Sequence, residues 1–395
     1  EKNNFQTSQI TFKNFYANTK KGSIVGDFEI LNLNDYFLNA EFNSVWDMKE
    51  ANYYFINSPF IECKGIINAS TKYNGKISFD NDFNIHFLNA KHQSDLELSK
   101  LSFFYDNYPL EIKVDNSKCQ ILNDTISVLN SQINIQDSDL SFDGEIHNLF
   151  NNILVDSTKI VHVIGNLIST TFNLKSLISN NDKENKVVEY DMPSRFNLDL
   201  KTSINSLAYN NIYPNQVNCH LIYKDNAVST KDLRMNLLSG QMLFDGKFYK
   251  NTENNFKLTG NIKLENIDVK KTFSAFNNFG QDFIMAKHIK GKSSSSIICN
   301  ITLNKFLEID LDKINIDSKV SIEEGELIDF KPLESLSNYV KLDDLAHIIF
   351  SKLENEIKIK DKIISVPNME IKSSALSLII SGKHFFNQEY NYKIS

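Results

Sequence analysis

Apolar and polar residues alternate at period two along most of the chain, and no other feature narrows its fold as far. Ile24/Gly26/Phe28/Ile30, Phe196/Leu198/Leu200, Cys219/Leu221/Tyr223, Phe256/Leu258/Gly260/Ile262/Leu264 and Leu376/Leu378/Ile380 are clear cases. Residues two apart share one side of an extended backbone, so the pattern predicts strands with one apolar and one solvated face. The intervals between them hold Asn, Asp, Lys and Ser rather than helix-length amphipathic stretches, which disfavours βαβ units. The expected fold is mainly β: an elongated, curved, antiparallel sheet forming a groove, with a few short helices near the C-terminal region. Some two dozen strands at about 4.8 Å each would extend on the order of 100 Å.

A second pattern subdivides the first. An apolar residue, a spacer, Gly, a spacer and another apolar residue recur at Ile24 to Phe28, Phe142 to Ile146, Phe244 to Phe248, Leu258 to Ile262 and Ile380 to His384. A glycine inside a strand marks a bend, a bulge or a close backbone approach, so its recurrence implies one structural unit used several times. Gly26, Phe28, Tyr36, Leu38, Ala40 and Phe42 superpose without gaps on Gly246, Phe248, Phe256, Leu258, Gly260 and Ile262, which predicts two hairpins built alike.

Helical spacing is confined to two places. A weak stretch covers Val269 to Phe279, and residues 332–353 place Leu333, Leu336, Tyr339/Val340, Leu342, Leu345 and Ile348/Ile349 at spacings of three or four. Pro332 suits a first helical position and Asp343 the cap of a second short helix, so a helical hairpin is expected there, closing one end of the groove. The most polar interval, 180–192, reads as a loop or linker between an N-terminal segment, 1–179, and a C-terminal region, 193–395.

Composition removes whole classes of function. With 41% hydrophobic residues, 29 Phe and 15 Tyr, the chain folds rather than remaining disordered. A net charge of -7 without a Lys/Arg cluster argues against nucleic acid as a partner. Cys63, Cys119, Cys219 and Cys299 are isolated, with neither redox nor zinc spacing, and read as buried thiols without disulfides. The eight histidines form no HExxH pair. Asp137/Asp139 and Asp310/Asp312 fit solvated strand faces better than paired catalytic acids, and Ser293 to Ser296 lack a nucleophile elbow. The expectation is therefore no enzyme, no metal and no cofactor. No apolar run is long enough for a membrane-spanning helix. The chain opens at Glu1 without an initiator Met and stops at Ser395 inside an alternating pattern, which reads as a piece of a longer protein with room for a signal or anchor elsewhere.

From Asn266 onward the order of short motifs resembles the C-terminal region of AsmA-type proteins. They are Asn266-Ile267-Asp268-Val269, Phe276-Asn277-Asn278-Phe279-Gly280-Gln281, Ile289-Lys290-Gly291-Lys292, Glu324 to Leu333, Asp343-Asp344-Leu345, Phe350 to Leu353, Ile363 to Met369, and Ser373-Ser374-Ala375-Leu376 before Gly382. The resemblance covers the last third well, extends more loosely from Pro193, and is architectural before that. It implies a β-taco-like groove related to bridge-like lipid transfer proteins, a periplasmic location with an inner-membrane anchor outside this sequence, and a part in outer-membrane lipid homeostasis and assembly. Phospholipid or another acyl-chain lipid is then the expected partner, possible envelope proteins a further one.

The residues expected to line the groove are Phe28, Ile30, Leu198, Leu200, Leu221, Phe256, Leu258, Ile262, Leu376, Leu378 and Ile380, because one-faced strands without covering helices leave an apolar surface that acyl chains can satisfy. The rival expectation is a non-catalytic periplasmic β scaffold that acts in outer-membrane protein assembly through protein partners. An extended β-solenoid enzyme ranks third.

Overall fold

The computed structural model describes residues 5–51, 60–79, 85–105, 110–149, 152, 158–178, 189–280, 282, 284–330, 346–372, 377–387 and 389–395, with the backbone alone at 79, 85–90, 178 and 378. Of the described residues, 74% are strand and 7% helix. It divides into two compact units, residues 1–183 with 193–203, and residues 184–192 with 204–395.

In the first unit, β1 (Gln9–Asn18), β2 (Ser23–Leu31), β3 (Phe37–Asp47), β4 (Phe60–Phe79), β5 (Ile85–Tyr105), β6 (Ile112–Leu122), β7 (Thr125–Ile135), β8 (Ser138–His147) and β9 (Val161–Asn173) follow one another as an antiparallel meander. The one-turn helix α1 (Met48–Ala51) follows β3, and α2 (Leu174–Ile178) follows β9. The next strand, β10 (Phe196–Ala208), starts in this unit and pairs with β9. Val161 N–H donates to Arg195 O at 3.0 Å, and the side chains of His162 and Asn197 meet at 3.3 Å. The two strands therefore start side by side and run in the same direction. That departs from the wholly antiparallel expectation, and its reason lies in the connection. The segment from Leu174 to Arg195 is long enough to return the chain to the start of β9, as a parallel neighbour requires. The polar interval 180–192 belongs to this crossover. Its end is tied into the second unit, where Tyr190 N–H donates to Lys305 O at 2.9 Å and Asp191 pairs with Lys250 at 2.9 Å.

The rest of β10 leads into the second unit: β11 (Asn215–Lys224), β12 (Ala227–Leu237), β13 (Gly240–Lys250), β14 (Phe256–Asp268), α3 (Val269–Ala275), β15 (Ile289–Leu303), β16 (Ile309–Ile328), β17 (His347–Lys360), β18 (Ile363–Lys372), β19 (Ser377–Phe385) and β20 (Tyr390–Ile394). Each strand from β11 onward pairs antiparallel with the next. Helix α3 matches the start of the expected stretch at 269–279, capped by Asp268, whose side chain accepts from Lys271 N–H at 2.8 Å.

The expected helix at 332–353 is corrected over its last turns. Residues 347–353 are strand, because β17 starts at His347 and pairs with β16 from Ile328 onward. Ile348, Ile349 and Phe350 suit a pleated surface, and β16 supplies the ladder that local spacing cannot reveal. The remainder, 332–345, lies outside the described residues.

The glycines act as expected, but the repeat they define is a different one. Gly26 faces Phe42, whereas Gly246 faces Gly260, so the two hairpins matched in sequence differ in register by two residues. The closer counterpart of β13–β14 is β8–β9. Gly144 faces Gly165 and Phe142 faces Leu167, as Gly246 faces Gly260 and Phe244 faces Ile262. Both hairpins read Phe-Asp-Gly on the first strand and Gly-Asn on the second. In each the Phe ring lies over the glycine pair: a Cβ at Gly144 would sit 2.9 Å from Phe142 Cζ, and one at Gly246 only 2.2 Å from Phe244 Cζ.

Candidate functional site

Strand register converts alternation into faces. In the second unit Leu221, Thr230, Gly246, Gly260, Cys299, Ile316, Ile359, Ile364, His384 and Tyr390 form one unbroken row of cross-strand partners from β11 to β20. Parallel to it run Tyr223, Val228, Phe248, Leu258, Ile301 and Ile314, and on the other side Leu233, Phe244, Ile262, Ile297, Ser318 and Ile357. The opposite face carries charges set directly across from one another, with Lys319 against Glu356 at 3.4 Å and Asp317 against Lys358 at 3.7 Å. Such cross-strand pairs add little energy each, but they fix which face meets water.

The apolar face is unevenly covered. At the C-terminal end Phe330, Ile348, Phe350 and Ile371 form a packed cluster, joined by Ile322, Leu353, Met369, Ile380 and Ile394. Room for it is made at Gly325, where an added Cβ would lie 2.0 Å from the Phe350 ring. Over β14 to β17, by contrast, Leu258, Ile262, Ile297, Ile301, Ile314, Ile316, Ile357 and Ile359 are all only half-buried. Their neighbours on the same sheet cover their flanks, and among the described helices only α3 contacts these strands, at β14 and β15.

In the first unit the equivalent row is Phe15, Gly26, Phe42, Thr71, Ser94, Ile121, Ile126, Ile146 and Val163. This face is better packed, with Ala40, Tyr73, Ile121, Ile126, Val128 and Phe142 all buried. It also holds a polar island. Thr71 and Ser94 hydroxyls meet at 2.8 Å, and His92 Nε2 lies 2.8 Å from Ser94 Oγ. Burial disfavours the charged imidazole and holds the His92 pKa below its usual value.

Of the residues expected to line a groove, Phe28 and Ile30 share the apolar face of the first unit with Ala40 and Leu38. Asn197 and His162 point to one face of β10, so alternation puts Leu198 and Leu200 on the other, with Val163. Leu221, Phe256, Leu258 and Ile262 fall on the apolar face of the second unit. Ile380 lies in the C-terminal cluster, and Leu378 is placed only by its backbone, opposite Ile371. Leu376 lies outside the described residues. Leu200 and Phe256, at 7% and 1% exposed, belong to the protein's own packing, and Phe256 stacks on Phe248 at 5.3 Å. Sequence reasoning passed over Ile297, Ile301, Ile314, Ile316, Ile357 and Ile359, although period-two alternation in β15 to β17 was there to mark them.

The spacer next to the repeated glycine has a role of its own. Asp245, in Phe244-Asp245-Gly246, accepts from the bulged Asp232 N–H at 2.8 Å, and Asp27, in Gly26-Asp27-Phe28, accepts from the bulged Asn14 N–H at 2.9 Å. Asp232 and Asn14 have left-handed φ of 51° and 50°. The carboxylates thus cap the β-bulges that bend these strands. The Asn14 N–H and the Lys13 ammonium hold the Asp27 pKa below its ordinary value.

Several other polar residues singled out from sequence have local partners. Asp139 accepts from the N–H groups of Thr170 and Thr171 at 3.2 and 2.6 Å, while Asp310 and Asp312 pair with Lys313 and Lys362 at 3.5 and 2.7 Å. His347 meets Glu326 at 3.0 Å. Cys63, Cys119 and Cys299 are buried in β4, β6 and β15, and burial raises their pKa values. Among the described residues no three His, Cys, Asp or Glu side chains come together to hold a metal ion.

Protein-family models, curated proteins and solved structures give no match to this chain. The AsmA resemblance accordingly stands on its short motifs alone.

Proposed function

We propose that the chain binds the acyl chains of phospholipid or a similar lipid along the apolar faces of its sheets, without covalent chemistry, and passes lipid along them. The observation that carries this reading is the half-buried block over β14 to β17. Eight large aliphatic side chains share one face there, while the packed cluster of the same unit lies farther along. Apolar surface left in water costs about 25 cal/mol per Å², so such a block favours an apolar occupant of extended shape. The AsmA-like motifs favour the same class of ligand and, with it, a place in the cell envelope and a part in outer-membrane lipid homeostasis.

Leu258→Asp tests the reading. A charge at this position opposes acyl chains and costs several kcal/mol if it stays ionised in a dry setting. The expected result is wild-type protein that carries phospholipid, read by mass spectrometry of an extract, and a folded variant that carries none. A photo-crosslinker at position 258 should capture lipid and one at the outward neighbour Lys257 should not. Lipid-free wild type, together with a Leu258→Asp variant that aggregates, would favour a scaffold whose apolar face packs on a protein partner.

A further inference from the structure

Helix α3 is followed by an unusual turn. Asn277, Asn278, Phe279 and Gly280 have φ of 49°, 51°, 56° and 68°, four consecutive residues in the left-handed region. Side-chain-bearing residues normally visit that region singly, and a bulky Phe is among the least suited to it. Retained backbone strain on a surface points to a use for the conformation. Two bonds brace it: Asn278 Oδ1 accepts from Ala286 N–H at 2.9 Å, and Phe279 N–H donates to Phe276 O at 2.9 Å.

The turn gathers three phenylalanines at the surface. Phe279 stacks on Phe276 at 5.5 Å and meets Phe273 edge-on at 5.2 Å, yet Phe276 and Phe279 stay 45% and 56% exposed. Most other close aromatic pairs of the second unit lie along its strands, whereas this cluster stands on a helix end and a loop. Its electrostatic setting also differs from that of the chain. Against a net charge of -7, the span from Asp268 to Lys290 carries four lysines and two aspartates, and Asp268 is engaged in capping α3. Lys270, Lys271, Lys287 and Lys290 are all exposed, with Lys290 in an ion pair with Glu326.

We propose that Phe273, Phe276 and Phe279 form a knob that seats the second unit in the surface of an anionic phospholipid bilayer, the rings at the acyl boundary and the flanking lysines among the phosphates. Aromatic rings beside basic residues are the combination that interfacial membrane elements use. The partner is a whole membrane surface, so the inference stands apart from the occupancy of the sheet face by individual lipids.

Flotation with vesicles separates the two. Wild type should float with phosphatidylglycerol/phosphatidylethanolamine vesicles, more weakly with phosphatidylcholine alone, and less as salt rises. Phe276→Ser with Phe279→Ser should lower partitioning on the order of tenfold per phenylalanine. Leu258→Asp should float like wild type. With Trp46→Phe as background, a tryptophan introduced by Phe279→Trp should be quenched by brominated acyl chains. Wild type that stays unbound, a double variant that floats as well as wild type, or an unquenched reporter would overturn the knob, whatever the lipid extract shows. Self-association abolished by the double substitution, with no vesicle binding, would also overturn it and assign the cluster to a protein contact.

Discussion

His92 shows how position on a face sets the chemistry of one residue. In sequence it is one of eight unremarkable histidines; on β5 it sits on the apolar side beside Ser94 and Tyr73. Burial favours its neutral form and lowers its pKa from 6.5, so the unfolded chain takes up the proton first. The stability difference this creates is absent at high pH and grows as a penalty while the pH falls below about 6.5. His92→Gln should therefore show a shallower loss of stability between pH 7.5 and 5 than wild type, measured as urea midpoints. Asp27, whose folded pKa is also lowered, loses stability in the same direction at lower pH, and serves as the internal reference because both proteins keep it. Asp27 and Asp245 were legible as members of a repeat, but not as bulge caps. The bulged N–H that each receives comes from 13 residues earlier, on the preceding strand.

At the scale of the element, the Phe-over-Gly hairpin is the unit used twice. Gapless matching paired β2–β3 with β13–β14 and missed β8–β9, because the loop inside β8–β9 is longer and shifts its second strand out of line. An added Cβ on Gly246 would lie 2.2 Å from Phe244 Cζ and 2.7 Å from Thr259 O. Gly246→Ala should cost about 1–3 kcal/mol through overpacking. Phe244→Leu withdraws the ring, so the double variant should be less destabilised than the two single costs added together, by about 0.5 kcal/mol or more. Strict additivity in chemical denaturation would mean that the backbone contact, and not the ring, sets the cost. The β17 segment makes the complementary point. Residues 347–353 satisfy both a helical and a strand period, and pairing with β16 decided between them.

For the molecule as a whole, stability should depend on what occupies the apolar face. A ligand bound only by the folded state stabilises it by RT ln(1 + [L]/Kd), about 2.7 kcal/mol at a hundredfold excess over Kd. Short-chain phospholipid below its micellar concentration should then raise the thermal midpoint of wild type progressively. Leu258→Asp should show no such rise. Equal shifts in the two proteins would place the lipid away from β14.

The sequence by itself determined the fold class, the two-sided character of the strands and the placing of α3, because period and capping are local properties written in adjacent residues. Tertiary structure alone decided the parallel return of β10 beside β9, the register that aligns Leu221 with Tyr390 through eight intervening strands, and the division between packed and half-buried stretches of the same apolar face. Those depend on which strand lies beside which. An alternating strand specifies its two faces, but leaves open what covers them.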